Sequence, residues 1–198
     1  MLAITAGGTS SIILIFLAFR LKKQLWYLTL GSLLLVWFVL SPVSFFLINY
    51  STDRLVMVSG SMKPALLPGD YFIVDKLAYK STLPQRGDIV LYSRPFNQAD
   101  TRIARVVGLP GENIQMKAGQ IWIDGAVLQE PHDISMAAYS GQWETGDAGY
   151  FLLGDNRNAS SDSHILGMIP VKSILGKVTY IYYPFSRYGS IINNHPTP

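Results

Sequence analysis

Cysteine is absent from this chain of 198 residues, and charged side chains are scarce. Without cysteine the protein has no disulfide, no thiol nucleophile and no cysteine-ligated zinc. Aspartate, glutamate, lysine and arginine make up 15% of the residues, against a usual value of about 25%. The three histidines do not have the spacing of a metal site, and the net charge of +3 is not accompanied by a nucleic-acid-binding motif. No nucleic-acid partner is therefore expected.

Hydrophobic residues, in contrast, make up 49% of the sequence, and they are concentrated near the N-terminus. Residues 1–19 and residues 25–50 contain no charged side chain. A helix needs about 20 apolar residues to cross a bilayer, and both stretches reach that length. A secretory signal peptide is the alternative for the first stretch, but it has no charged n-region and no A-x-A-like site follows it. We predict a membrane anchor of two helices over residues 1–50.

The segment RLKKQ, residues 20–24, separates the two apolar stretches and carries three positive charges. Short loops rich in lysine and arginine stay in the cytoplasm. This pattern predicts a multi-pass protein whose partner is the phospholipid bilayer, with a cytoplasmic loop at residues 20–24 and with everything after about residue 51 on the extracytoplasmic side. Ser61 would then lie close to the membrane.

The outer part of the chain has the pattern of an antiparallel β domain. Short apolar or alternating runs recur between glycine, proline, asparagine and aspartate. These runs are Leu55–Val58, Tyr71–Val74, Ile89–Tyr92, Ile103–Val107, Ile121–Ile123, Tyr150–Leu153 and Val178–Tyr183. Asp124 and Gly125 have the residue types of a tight hairpin turn. Residues 186–198 are predicted to form a tail.

Four segments carry the chemical information, beginning with SGSMKPALLPGD at residues 59–70. Alone, Ser-Gly-Ser is a common loop sequence. It is followed in order by RGDIVLY (86–92), RIARVVGLPGE (102–112) and GDNRNASSDS (154–163). Together, and behind a membrane anchor, these segments closely resemble the bacterial type I signal peptidases, which are also called leader peptidases. The resemblance covers residues 55 to about 177 and the apolar stretch before them.

The resemblance implies a serine endopeptidase, tethered to the bacterial cytoplasmic membrane, that removes signal peptides from exported proteins. Its expected partners are signal peptides with small residues one and three positions before the cut. The family uses a serine nucleophile and a lysine base, so no metal or other cofactor is expected. Residues 51–112 and 150–185 would form the catalytic β domain, and residues 113–149 a small inserted β cap.

The resemblance also assigns roles to individual residues. Ser61 matches the nucleophile, and Ser59 matches a serine of the oxyanion hole, which the Ser61 N–H completes. Ser160 matches the serine that orients the lysine amine, and three charged residues brace the site: Asp155, Arg157 and Asp162. Seven apolar residues match the lining of the substrate pockets: Leu55, Met57, Met62, Leu66, Phe72, Leu91 and Ile103. An ordinary core role is the alternative for these seven.

The third segment departs from the family at one position. The family reads I-K-R-x-x-G-L-P-G, whereas this chain reads Ile103-Ala104-Arg105 and then VVGLPG. Ala104 therefore occupies the position of the general-base lysine. A serine hydroxyl needs an adjacent base, and alanine accepts no proton. The resemblance places Lys63 and Lys76 away from the hydroxyl. In related enzymes a histidine replaces the lysine at the lysine's own position, which is not that of His164.

Two origins explain Ala104: a designed lysine-to-alanine change, or a natural homologue that lost catalysis and kept binding. Retention of Ser59, Ser61, Ser160 and Asp162 favours the designed change. Two functions remain open as well. One is a signal peptidase that lacks its base and is inactive as written, or a specialised maturation peptidase of a secretion or conjugation system. The other is a membrane-anchored protein that binds signal peptides or other precursors without cutting them.

Overall fold

The computed structural model describes residues 7–130 and 134–191 of the chain. The chain divides at residue 50 into an N-terminal helical unit and a C-terminal β unit. The last part of the predicted tail, residues 192–198, lies outside the described residues.

The N-terminal unit is one continuous helix, α1, which spans Gly7–Ser51. The predicted loop at residues 20–24 is therefore wrong, and two separate helices are not confirmed. The physical reason is local, because arginine, leucine, lysine and glutamine are good helix formers and RLKKQ contains no glycine or proline. Within the described residues one segment, Arg20–Ser51, is long and apolar enough to cross a membrane, with a mean hydropathy of 2.2. Its large apolar side chains are exposed around the helix, as in a membrane span.

The C-terminal unit contains twelve described strands and a single turn of α-helix, α2, at Ser163–Leu166. The strands are β1 (Thr52–Val56), β2 (Tyr71–Asp75), β3 (Ile89–Arg94), β4 (Asn97–Gly108), β5 (Asn113–Lys117), β6 (Gln120–Ile123), β7 (Ala126–Val127), β8 (Gly141–Glu144), β9 (Gly149–Leu153), β10 (Ile169–Pro170), β11 (Ile174–Tyr183) and β12 (Gly189–Ser190). All of their pairings are antiparallel, which confirms the predicted fold class for this unit.

The strands form two sheets. The larger has the order β1-β2-β11-β3-β4-β9-β10, with β12 beside β11. The smaller has the order β7-β6-β5-β8 and lies within residues 113–149, the predicted cap. A tight turn joins β6 to β7, where Asp124 and Gly125 have φ angles of 50° and 85°. This conformation suits the aspartate–glycine pair, and the predicted hairpin is confirmed. A capping role for the small sheet stays a prediction.

The predicted tail boundary at residue 186 is wrong, because the chain remains part of the fold up to residue 191. Arg187 donates two hydrogen bonds of 3.0 Å from its Nε to the carboxylate of Asp70. Strand β12 pairs with β11, and Ile191 is buried in the core. The terminal proline- and asparagine-rich composition concealed these contacts because they join residues far apart in the sequence.

Strands β3 and β4 lie between two apolar clusters, because their successive side chains point to opposite faces of the sheet. One face carries Leu91 and Ile103, which pack with the core between β1, β2 and β11. The opposite face carries Tyr92 and Ala104, which pack with residues of β9 and β10. Each residue of β4 near position 103 therefore faces a different side from its neighbour, and this alternation organises the candidate site.

Candidate functional site

A pair of serine hydroxyls lies just after β1. The Oγ atoms of Ser59 and Ser61 are 3.0 Å apart and form a hydrogen bond. Ser59 is exposed and Ser61 is half-buried, so a ligand can reach both. Two hydrogen bonds from Asn156 fix the turn: its N–H donates to the Ser61 carbonyl at 2.9 Å, and its Nδ2 donates to the Gly60 carbonyl at 3.1 Å. The first and fourth sequence segments thus meet at the serine pair.

Ser160 lies beside this turn because Gly154 leaves room for it. A Cβ atom at Gly154 would lie 2.4 Å from the Ser160 Oγ and 2.7 Å from the Ser61 carbonyl oxygen. Real Cβ atoms do not approach other atoms that closely, so residue 154 must be glycine for these two serines to converge. The structure therefore brings together all three serines that the sequence predicted.

These serines lie in a groove of about 500 Å³ that runs between β1 and β4. Five of the seven predicted pocket residues line it: Leu55, Met57, Phe72, Leu91 and Ile103. Met62 and Leu66 do not line it in the described structure. They are fully buried in the core cluster that also contains Met57, Phe72 and Leu91, so a contact of Met62 or Leu66 with a substrate stays a prediction. The sequence could not distinguish residues that line the groove from residues of the core, because both kinds are apolar.

The two long sides of the groove are strand edges. Strand β1 is the last strand of the large sheet, and on its second side it pairs with no strand in the described part of the chain. Asn97 and residues 101–105 of β4 pair with β3, while the pairing of β4 with β9 begins at Arg105. A strand edge of this kind can take up an extended peptide as a further strand.

Ala104 lies in β4 opposite Val90 and is only 1% exposed. Its methyl group packs in the apolar cluster that includes Tyr92, Tyr150 and Leu152, and it does not reach the groove lining in the described structure. Tyr92 does line the groove, next to the serines. Burial raises the pKa of Tyr92 to about 12, and the charge of Asp162 adds to this effect. The surroundings of position 104 are therefore apolar and poor in water.

Asp155 forms the most buried ion pair next to the site. The Nε and Nη2 atoms of Arg105 donate to its two carboxylate oxygens at 2.7 Å and 2.6 Å. The Nη1 atom of Arg105 also donates to the carbonyl of Gly87 at 2.9 Å. The side chains of Arg105 and Asp155 are 5% and 1% exposed. The sequence motif contains Arg105, but no role was predicted for it, although its position next to residue 104 was an available signal.

Arg157 forms a second buried brace. Its guanidinium makes a bidentate contact with the carboxylate of Glu130, and its Nε donates to the carbonyl of Gly154 at 3.0 Å. Arg157 is among the fully buried side chains. Glu130 is another residue that the sequence analysis missed, because it lies 27 positions earlier in a segment that no motif covers.

Asp162 holds the last part of the fourth segment. Its carboxylate accepts the Gly154 N–H at 2.8 Å and contacts Nδ1 of His164 at 2.7 Å. The His164 ring stacks on Tyr139, with ring centroids 4.2 Å apart. Neither of these partners is Ser61, and no hydrogen bond joins His164 to Ser61 in the described structure. The geometry therefore gives His164 a bracing contact and no contact with the serine pair.

Lys63 is the lysine that approaches the serine turn. A Cβ atom at Gly60, between the two serines, would lie 3.9 Å from the Lys63 Nζ and 3.4 Å from its Cε. The side chain is exposed, and within the described residues its amine makes no hydrogen bond with Ser61. Lys63 therefore lacks the burial among apolar groups that a lysine base needs.

Hydroxyl groups at the end of a groove between two strand edges are typical of a serine hydrolase that acts on extended peptides. The comparison with known proteins agrees. Residues 30–183 match the family described as signal peptidase, peptidase S26. The chain belongs to this family, which confirms the resemblance seen in the sequence.

Individual relatives are similar to the chain over most of the β unit. A protein named "Signal peptidase I" from Leptolyngbya laminosa is 38% identical over 143 residues, which are 67% of this chain and 70% of that protein. One of the same name from Bacillus caldolyticus is 30% identical over 167 residues, which are 77% and 91% of the two chains. "Probable signal peptidase I-2" from Synechocystis sp. is 34% identical, and the match spans 69% of this chain and 65% of that protein. A crystal structure of a signal peptidase I from Enterococcus faecalis V583 is 28% identical, with a TM-score of 0.42 and coverage of 48% of this chain and 97% of that one.

Proposed function

We propose that the groove binds the cleavage-site segment of signal peptides, and that the chain as written does not cleave them. The observation that carries the proposal is the Ser59–Ser61 pair in a groove that is lined by residues of β1 and β4. Membership of the signal peptidase family supports the substrate class. The methyl group of Ala104 in place of a base supports the loss of cleavage.

The bound peptide would lie extended between β1 and β4. Its backbone would pair with one or both strand edges, and alternate side chains would point to the same face. On the face with Leu91 and Ile103, apolar side chains close the groove, so two small residues separated by one position fit there. Alanine at the first and third positions before the cut meets this requirement.

Without the base, the chain keeps two parts of the proposed machinery: the serine nucleophile and the hydrogen-bond donors that would stabilise an oxyanion. In an active enzyme, the Ser61 Oγ attacks the scissile carbonyl carbon while its proton moves to a base, and the carbonyl oxygen becomes negatively charged. The Ser61 N–H and the Ser59 hydroxyl would donate hydrogen bonds to that oxygen. One such donor is worth about 2.7–4 kcal/mol in a well-studied protease. With Ala104 no base takes the Ser61 proton, because the Ser59 hydroxyl can accept a hydrogen bond but is too weak a base, so the attack would not be activated.

Membrane attachment follows from α1. Arg20, Lys22 and Lys23 lie at the N-terminal end of the span candidate, and positively charged flanks stay in the cytoplasm. A single span from this end to Ser51 places the β unit on the extracytoplasmic side. The sequence also predicted the extracytoplasmic side for the β unit, but from two membrane spans instead of one. The expected location is the bacterial cytoplasmic membrane.

The decisive experiment restores the base. The full chain with Ala104→Lys should cleave a preprotein that carries a signal peptide, and the same chain with Ser61→Ala added should not. The parent chain should bind a peptide of the Ala-x-Ala type without cutting it. Cleavage of only one precursor in a panel would indicate a specialised maturation peptidase. Peptide binding with no cleavage by the Ala104→Lys chain would favour a natural binding protein, and an absence of peptide binding would contradict the proposal.

A further inference from the structure

One wall of the groove carries charge that the proposed chemistry does not use. Asp100 and Arg102, on β4, both line the groove beside the apolar residues. The Nε and Nη2 of Arg102 donate to the two oxygens of Asp100, each at 3.2 Å. The side chain of Arg102 is 37% exposed, so its guanidinium is accessible to a ligand in the groove. Its Nη1 donates to no described carboxylate.

The charges on this wall do not cancel. Arg94 also donates to Asp100, from its Nη1 at 3.1 Å. Hydrogen bonds from Arg102 and Arg94 lower the pKa of Asp100, which therefore remains a carboxylate at neutral pH. Two guanidinium groups share one carboxylate, and Arg102 is the arginine of the two that lines the groove. Because Asp100 is shared with Arg94, it neutralises the guanidinium of Arg102 only in part.

The alternation of side chains decides which peptide residue meets this charge. Ile103 and Leu91 lie opposite each other on one face, where the two small residues of the substrate fit. Arg102 and Tyr92 lie opposite each other on the other face. In an extended peptide the residue between the two small ones points to this second face. On the far side of the groove, the β1 residue on the face opposite to that of Leu55 is Val56, which is uncharged.

We infer that Arg102 makes the groove selective for the charge of this middle residue, favouring an acidic side chain over a basic one. The inference rests on the proposed function, because it assumes a peptide in the groove with small residues in the two pockets. The side chain of Arg102 and the middle residue would form an ion pair when that residue is glutamate, and would repel each other when it is lysine.

The expected preference is modest because the wall is partly exposed. Exposed ion pairs and like-charge contacts are each small effects, and their combined difference corresponds to about fivefold in affinity. Salt screens such contacts, and the Debye length falls from about 10 Å at 0.1 M to about 3 Å at 1 M. The preference should therefore decrease strongly between these two salt concentrations.

The test uses the full chain in nanodiscs of zwitterionic phosphatidylcholine, so that the lipid surface adds no net charge. Three fluorescent peptides of the form Ala-x-Ala, with glutamate, glutamine or lysine in the middle, are titrated and their Kd values compared. The parent chain should bind the glutamate peptide about fivefold more tightly than the lysine peptide. Arg102→Gln should remove the preference, and Arg102→Glu should reverse it. The glutamine peptide gives each chain an uncharged reference Kd, and the near-UV circular dichroism of each variant shows whether it is folded.

Lys172→Gln is the matched control. It removes one positive charge, as Arg102→Gln does, but Lys172 is exposed and does not line the groove. It should keep the full preference. Equal loss in Lys172→Gln and Arg102→Gln would overturn the inference, since a general field would then be responsible. So would an unchanged preference in Arg102→Gln. A groove that requires small flanking residues but ignores the middle charge would refute this inference alone. A groove that binds bulky and small flanking residues equally would refute the proposed function as well.

Discussion

Introducing a lysine at position 104 should make the stability of the protein depend on pH. Ala104 is 1% exposed and lies against Val90, Tyr92 and Tyr150. Burial in such a cluster disfavours the ammonium form and lowers the pKa of a lysine, by up to about 3–5 units for a fully buried group. The negative charge of Asp162, which contributes to the raised pKa of Tyr92, acts in the opposite direction on a lysine. We therefore expect a net lowering of about two units.

The sign of the stability effect follows from proton linkage. In the unfolded chain the lysine has a pKa of about 10.4, and in the folded chain it would have a pKa of about 8.4. Above pH 10.4 the amine is neutral in both states, so its charge costs no stability. As the pH falls from about 10.4 to about 8.4, the unfolded chain takes up the proton first and the folded state loses stability. Below that window the loss is complete, at about 3 kcal/mol for two pKa units.

The measurement is urea unfolding of the full chain in detergent, followed by the fluorescence of Trp122 and Trp143 in the β unit. The free energy of unfolding of Ala104→Lys, relative to the parent, should fall by about 3 kcal/mol between pH 10.5 and pH 7. Ala126→Lys is the matched control, because Ala126 is exposed on β7, and it should show no such difference. Identical pH dependence in the two variants would refute the burial of the residue-104 side chain.

Cleavage should follow the same titration. Only the neutral amine of a lysine at position 104 can take the Ser61 proton, so the rate should rise with pH through about 8.4. General-base catalysis contributes typically about 10²–10⁴-fold, and the parent should be slower by at least the lower figure. Brisk cleavage by the parent that disappears on His164→Ala would contradict this account.

Three further predictions concern topology and the site. A cysteine placed at Lys22 should resist a membrane-impermeant thiol reagent in intact cells, whereas one at the exposed Ser81 should react; the reverse pattern would overturn the sidedness. Asp155→Ala should lower the free energy of unfolding by about 3–5 kcal/mol in urea titrations, because it leaves a buried arginine without its counter-charge. Gly154→Ala, in the lysine-restored chain, should push the Ser160 hydroxyl away and lower kcat about 100-fold. The Kd of an Ala-x-Ala peptide should change far less than kcat.

Local patterns in the sequence predicted the β unit well. Apolar runs between turn-forming residues located most of the strands, and an aspartate–glycine pair located a tight turn at residues 124–125. These signals involve residues within a few positions of one another. At residues 20–24 two short-range signals conflicted. The positive charges predicted a loop, whereas the helix propensity of the same residues favours the continuous helix α1 that is observed.

Such local patterns could not predict contacts between residues that are far apart in the sequence. Arg105 and Asp155 are 50 positions apart, and Arg157 and Glu130 are 27 positions apart. Neither pair has a sequence spacing that predicts contact. The groove lining was equally hidden, because Met57 and Met62 are of the same residue type and lie in the same core cluster, and only Met57 also lines the groove in the described structure. The resemblance supplied the groove serines, and the structure supplied their supporting contacts.

The supporting contacts also bear on why the site residues persist beside Ala104. Asp155 and Asp162 hold buried partners and would be costly to lose whether or not the protein cleaves peptides. Their presence therefore says little about catalysis. Ser59 and Ser61 differ, because in the described structure their hydroxyls bond to each other and to no other group. Stability does not require these two hydroxyls. Their retention is best explained by a use in the groove, either in an enzyme whose lysine has been replaced or in a protein that still binds the peptide carbonyl.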